Sequence, residues 1–200
     1  ISCVLSMQST NPHSYMFHTP NIHMVKLQAE AMEVPLILQK TQGEKEKELE
    51  DLAVGLEKAK KLYAIEGVIT GALYSEYQRR RIEEVADRLG LKIFSPLWHK
   101  DQEQELRELV QLGFRFILSS IAAEGLNKKW LGRILTLEDV DTLVALHKKV
   151  GLNIAFEGGE AESLVLDCPL FKKKIQVLSY ELKEESEHSA YIHITKAKLE

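Results

Sequence analysis

The chain has 200 residues, 44% of them apolar, which is enough to bury a core in one large domain or two small ones. Its 26 basic and 30 acidic side chains leave a net charge of −4, which argues against a surface built as a whole to bind nucleic acid. No apolar run reaches the roughly 18 residues of a membrane span, and the two cysteines, Cys3 and Cys168, are too few for a disulfide framework and lack zinc-ligand spacing. The expectation is a soluble, cytoplasmic globular protein without membrane contact, its thiols buried in a reducing compartment. The opening Ile1-Ser2-Cys3-Val4-Leu5 is strand-like and has no initiator Met, so an upstream segment is expected.

In chain order, strand-length apolar stretches alternate with patterns of helical period. Ile1 to Ser6 predicts a strand, and Ile22 to Glu33 a helix with Asn21 placed to cap it. Val34 to Gln39 is the next strand, and Leu49, Leu52, Leu56, Ala59 and Leu62 mark a longer helix. The charged run Gly43 to Asp51 reads as that helix's solvated start. Gly67 to Leu73 predicts a buried strand, Ser75 to Leu89 a helix closed by Gly90, and Lys92 to Ser95 a short strand ended by Pro96. This α/β alternation predicts a Rossmann-like parallel sheet with flanking helices over residues 1–98.

Beyond Pro96-Leu97-Trp98 the pattern changes. Gln102 to Leu112 predicts a helix, Phe114 to Ala122 a strand, and Thr136 to Val150 a helix opened by a Thr136/Asp139 capping box. Strands are expected at Leu152 to Phe156, Ser163 to Leu166, Lys174 to Tyr180 and Ala190 to Leu199. The last alternates Ile192 and Ile194 with His193 and Thr195, as a one-face-buried antiparallel strand does. Residues 99–200 therefore read as a smaller α+β domain.

In open parallel sheets ligands gather at the carboxyl ends of the strands. Three unusual loops fall there: "SMQSTNPHSYMFHTPN" after the first strand, "TGALYSEYQRRR" after Gly67 to Leu73, and "PLWHK" after Ser95. In the second loop, Gly71 lets a ligand approach the backbone and Ser75 opens a helix carrying Tyr77, Arg80 and Arg81. An aromatic and sulfur-rich loop beside a Gly-containing one suits a purine with a phosphate tail. The commoner reading of Tyr15, Met16 and Phe17 is a small satellite core under a long loop. His13, His18 and His23 recur every five residues, a spacing that matches no zinc pattern, so no metal site is expected. Arg79, Arg80 and Arg81 are either a solvated helix face or a phosphate clamp.

The sharpest feature is "FEGGEAESLVLDCPLF", residues 156–171. Two glycines between Glu157 and Glu160 allow a tight turn that could aim both carboxylates at one cavity. Such a pair could hold ammonium, bind Mg2+ with phosphates, or act as a general base. By pattern alone, a hairpin with solvated glutamates is the more frequent outcome.

Taken together, "SYMFHTPN", "LQAEAMEVPL", "TQGEKEKELEDL", "GVITGALYSEYQRRRIEEVADRLGL", "WLGR" and "EGGEAESLVLDCPLF" resemble the diphthine–ammonia ligase (diphthamide synthetase) family of PP-loop, or N-type, ATP pyrophosphatases, from about Ser2 to Leu199. The resemblance implies ATP-dependent amidation of diphthine, the modified histidine of translation elongation factor 2. The substrate carboxylate forms an acyl-adenylate, ammonia displaces AMP, and ATP, Mg2+ and ammonium are required. It implies that Ser6, Met7, Tyr15, Met16 and His18 line the adenine and ribose side, with Gly71 and Ala72 approaching the nucleotide from the neighbouring strand end. Glu157 and Glu160 become the catalytic candidates, and Tyr77, Arg81, Arg133, Gly158 and Gly159 the substrate-binding ones. The implied partner is elongation factor 2 rather than nucleic acid, and a homodimer is compatible with it. A PP-loop enzyme carries Ser-Gly-Gly-Lys-Asp-Ser on its first strand-to-helix turn, and this sequence has none. In family order the motif precedes Ile1, so a truncated chain with little ATP hydrolysis of its own is expected. The alternative is a nucleotide-binding or sensing module of the same fold.

Overall fold

A computed structural model gives the structure of the chain and describes residues 1–11, 14, 16–17 and 19–200. The candidates Tyr15 and His18, with His13, lie outside the described residues. The chain divides into two compact units, Ile1–His99 and Lys100–Glu200.

In the first unit, β1 (Val4–Ser9) pairs in parallel with β2 (Leu36–Thr41), and a 3-10 turn (Ile22–Met24) and α1 (Val25–Met32) run between them. Then follow α2 (Lys47–Tyr63), β3 (Gly67–Ile69), α3 (Glu76–Arg88) and β4 (Lys92–Phe94), with β4 parallel to β3. The fold is thus mixed α/β with parallel pairs, but the strands form two separate ladders, β1-β2 and β3-β4, instead of one continuous sheet. What joins them is side-chain packing. Met7 of β1, Leu52 and Leu56 of α2, and Val85 and Ala86 of α3 form one buried cluster, against which Leu5, Val68 of β3 and Ile93 of β4 pack. Side chains alternate along a strand, so Ile69 and Phe94 fall on the opposite face and are 67% and 63% exposed.

Local chemistry explains most of the element ends. Ser75 caps α3 by accepting from Gln78 N–H. Past the helix, Gly90 takes a left-handed φ of 64° and Leu91 N–H reaches back to Ala86 O at 2.9 Å. Asn21 departs from expectation: its backbone is left-handed and its side chain makes no cap bond, so the chain enters α1 through the 3-10 turn. Leu62, placed on the inner stripe of α2 by its spacing, is exposed in the last turn.

The second unit runs α4 (Gln102–Gln111), β5 (Arg115–Ala122), a 3-10 turn (Lys128–Trp130), α5 (Leu137–Val150), β6 (Ala161–Asp167), β7 (Ile175–Ser186) and β8 (Ser189–Leu199). Its strands form an antiparallel sheet ordered β6-β5-β8-β7. The capping box on α5 is complete, with Thr136 and Asp139 each accepting the other's N–H. The strand expected at Leu152 to Phe156 is absent. Leu152 and Ile154 are buried as predicted for an apolar run, but the Asn153 side chain accepts from Ala155 N–H at 3.0 Å, and Phe156 N–H bonds back to Asn153 O. Asx-turn chemistry therefore wins over the apolar pattern. Conversely, β7 continues past Tyr180 through a charged stretch, because β8 supplies a partner as far as Ser186. Among the described residues, no helix is long and apolar enough to cross a membrane.

Candidate functional site

The carboxyl ends of β1 and β2 lie side by side, since Ser9 pairs with Thr41. The first strand runs three residues past its expected end at Ser6, which moves Ser6 and Met7 into mid-strand. Met7 is a core residue, only 6% exposed, packed with Leu52 and Leu56. Its side chain belongs to the helical core, against which Phe17 of the first loop also packs.

A hydrogen-bond net laces the two strand-end loops. Asn11 Nδ2 donates to Gly43 O at 3.0 Å, and Gly43 N–H donates to Thr41 Oγ1 at 3.1 Å. Asn11 N–H donates to Ser9 Oγ at 3.1 Å. Ser14 Oγ donates to Glu48 Oε2 at 2.7 Å and accepts from Phe17 N–H at 3.1 Å. Met16, one of the nucleotide candidates, is buried in this region. Beside the net, a cleft of about 630 Å³ opens over the start of α2, lined by Thr10, Thr41 and Gln42 from the strand ends and by Lys47, Glu50 and Asp51 from the helix. Its size suits a small molecule, but among the described residues its lining takes in none of Ser6, Met7, Met16, Gly71 or Ala72.

At the ends of β3 and β4 a second pair of loops is joined. Thr70 Oγ1 and Ser95 Oγ are 2.8 Å apart, and His99 N–H donates to Leu73 O at 2.8 Å. Tyr74 stacks on His99 with centroids 5.3 Å apart, Trp98 stacks on His99 at 4.6 Å, and the Arg79 guanidinium lies 4.8 Å over Trp98. Gly71 is exposed with open space where a Cβ would stand, whereas Ala72 is buried. Each arginine of the run pairs with a carboxylate: Arg79 with Glu76 and Glu83, Arg80 with Glu76, and Arg81 with Glu46 at 2.7 Å. Arg81 also lies 3.7 Å over the Tyr77 ring, so the two substrate candidates on α3 touch each other. Hydrogen bonds from Arg79, then Arg80, hold the Glu76 carboxyl down at about 2.

In the second unit, the Glu157–Glu160 stretch is not a hairpin: it follows the Asn153 turn and leads into β6, whose neighbour is β5. The Glu160 carboxylate folds back to accept from Gly158 N–H at 2.9 Å. A Cβ on Gly158 would stand 2.5 Å from Glu160 Oε1, so the bare backbone is what admits this carboxylate. Gly159 makes the turn with φ 86°. Arg133, a candidate for substrate, spends both terminal nitrogens on Asp139, at 2.6 and 2.7 Å, and its Nε on Lys129 O at 3.0 Å. Its guanidinium also lies 4.9 Å over Trp130. That bidentate pair holds the Asp139 carboxyl below its ordinary range, and Thr136 N–H adds to the effect. In this structure Arg133 clamps the start of α5.

The cap residues and the Gly-Gly turn could be found from local sequence. The Glu48–Ser14 bond and the Arg81–Glu46 pair could not, being 34 and 35 residues apart.

Comparison with known families sets this geometry in context. The diphthamide synthase N-terminal domain matches residues 1–93, and the diphthamide synthase C-terminal domain matches residues 101–199. The chain belongs to the diphthamide synthase family. The diphthine–ammonia ligase of Mus musculus is 39% identical over 210 residues, covering 97% of this chain and 78% of that protein. The Homo sapiens diphthine–ammonia ligase is 40% identical over 185 residues, covering 84% of this chain and 67% of the relative. The Schizosaccharomyces pombe enzyme of the same name is 41% identical over 185 residues, and this chain spans 30% of its length. Both domains of the family are therefore matched by this one sequence.

Proposed function

We infer that the protein is an ATP-dependent ligase that amidates diphthine on elongation factor 2 to diphthamide. The observation that carries the reading is the match of both family domains along the chain, with the Glu157–Glu160 turn intact in the second. In the first step, a diphthine carboxylate oxygen attacks the α-phosphorus of ATP and pyrophosphate leaves. In the second, ammonia attacks the acyl carbon and AMP leaves. Dividing the amidation into two displacements gives each a good leaving group.

The chain's own residues supply positioning and proton handling. Ammonium must lose a proton before it can attack, and a carboxylate can hold the cation and accept that proton. Glu160 is pre-oriented for this role by Gly158 N–H, and Glu157 stands at the other side of the same turn. The loops at the ends of β1 and β3, with Met16, Gly71 and Ala72, are assigned to the adenine nucleotide, on the general rule for ligands of parallel sheets. Mg2+, when bound, neutralises phosphate charge. On general grounds, a Mg2+ ion with a bound nucleotide would take most of its ligands from the phosphates and water.

The test is AMP release by the natural protein that carries this sequence, with ATP, Mg2+, ammonium and diphthine-bearing elongation factor 2. Release that requires both co-substrates supports the ligase, and nucleotide binding without release would move the function to sensing. Glu157→Gln and Glu160→Gln keep shape and remove charge. Unchanged amidation in both would remove these residues from the mechanism.

A further inference from the structure

Glu48 stands out in the charged run that opens α2. Its neighbours Glu44, Lys45, Glu46 and Lys47 are exposed, yet Glu48 is 1% exposed. Taking a carboxylate out of water costs several kcal/mol unless something compensates. Here the compensation is local: Glu48 sits in the first turn of a 17-residue helix, where the dipole favours negative charge, and it accepts the Ser14 hydroxyl at 2.7 Å. A buried peg needs no ionisable group for packing alone.

The consequence lies with Ser14. A serine hydroxyl has one hydrogen and two lone pairs. With its hydrogen committed to Glu48, the lone pairs are turned to the main chain, where they accept from Phe17 N–H at 3.1 Å and Met16 N–H at 3.4 Å. The other end of the same loop is tied by Ser14 N–H to Asn11 O at 3.2 Å, and Asn11 is bonded to Gly43 just ahead of α2.

We propose that Glu48 is a positioning residue for the nucleotide loop, acting through Ser14 to fix the main chain at Met16 and Phe17. The inference rests on the proposed assignment of that loop to the adenine nucleotide. It makes the start of α2 part of the nucleotide site without direct contact.

Four variants of the full protein, Glu48→Gln, Glu48→Ala, Ser14→Ala and the double Glu48→Ala/Ser14→Ala, test it with two readouts. Amide hydrogen exchange at Met16 and Phe17 in the absence of nucleotide reports positioning alone. Protection is expected to fall about tenfold in Glu48→Ala, the loss of one charge-assisted hydrogen bond, at least as far in Ser14→Ala, which also removes the acceptor of the Phe17 and Met16 N–H groups, and to stay within about threefold in Glu48→Gln, whose amide oxygen still accepts. ATP affinity, read by titration, is expected to weaken by a similar factor in the same two variants, with kcat at saturating ATP little changed. The double variant should be no worse than Ser14→Ala, because Glu48 acts on the main chain only through the Ser14 hydroxyl. Unchanged exchange in Glu48→Ala overturns the positioning role itself. Faster exchange with unchanged ATP affinity overturns the nucleotide role of the loop, and a parallel fall of kcat and melting temperature with constant KM reduces Glu48 to a structural residue.

Discussion

Replacing Gly43 by Ala probes the lacing of the strand-end loops directly. Gly43 has φ 67°, and a Cβ there would lie 2.3 Å from Ser9 Oγ, 2.7 Å from Asn11 Cβ and 3.2 Å from Ser14 Cβ. The left-handed backbone costs a non-glycine residue roughly 1–2 kcal/mol, and about 0.4–1 kcal/mol of that is offset by the smaller entropy of the unfolded chain. The three neighbours cannot move freely. Ser9 Oγ is bonded to Asn11, Asn11 Nδ2 to Gly43 O, and Ser14 Oγ to Glu48. Overpacking of this kind costs about 1–3 kcal/mol, and each bond broken to relieve it about 1 kcal/mol. The expected loss is therefore about 3 kcal/mol. Gly90→Ala is the control: its φ is 64°, but the nearest foreign atom is Lys60 Nζ at 4.0 Å, so it carries the backbone strain alone. Urea unfolding followed by Trp98 fluorescence, in a Trp130→Phe background that silences the second unit, should place Gly43→Ala about 2 kcal/mol below Gly90→Ala. Stabilities within about 0.5 kcal/mol of each other would refute the argument that the two loops are interlocked at Gly43.

Gly158→Ala should leave stability within about 1.5 kcal/mol of the parent, since the backbone there is not left-handed, while displacing Glu160; amidation falling as far as in Glu160→Gln is the expected result, and full activity would show that the folded-back carboxylate is not the working one. Asp139→Asn should lower stability at pH 7 by about 1–2 kcal/mol, through the lost charge at the capping box and at Arg133. The pH dependence has a definite sign: because the folded Asp139 carboxyl is depressed, its contribution is present above the unfolded value of about 3.9 and fades as pH falls below it through the lower folded value. A stability difference between parent and Asp139→Asn that stays constant as pH falls through ~4 and below would exclude this role.

Ser75 and the Thr136/Asp139 box cap their helices because a cap is a contact over three residues, written in adjacent sequence. The α/β alternation of the first half and the alternating Ile192 and Ile194 of β8 are likewise local periodicities, and each emerges in the structure. The same local logic went astray where turn chemistry competed with an apolar run, at Asn153 within Leu152 to Phe156, and where a charged strand depended on a partner, at Leu182 to Ser186 in β7. The family assignment also came from sequence, from the "EGGEAESLVLDCPLF" stretch and its companions, and the matches over residues 1–93 and 101–199 agree with it.

The tertiary structure decided which charges are solvent-facing and which are engaged. Nothing in "GEKEKELEDL" distinguishes Glu48 from its neighbours; its burial follows from a loop more than thirty residues upstream folding onto α2 and offering Ser14. Arg133 is paired with Asp139 and lies over Trp130, and Arg81 is paired with Glu46 and lies over Tyr77, an arrangement that residue type alone does not give. Sequence by itself determined the family, most elements and their caps, since these depend on composition and on contacts a few residues long. Partner choice among like-charged side chains, and the division of the parallel strands into two ladders over a shared helical core, depend on packing between distant segments, which chain order does not encode until the chain has folded.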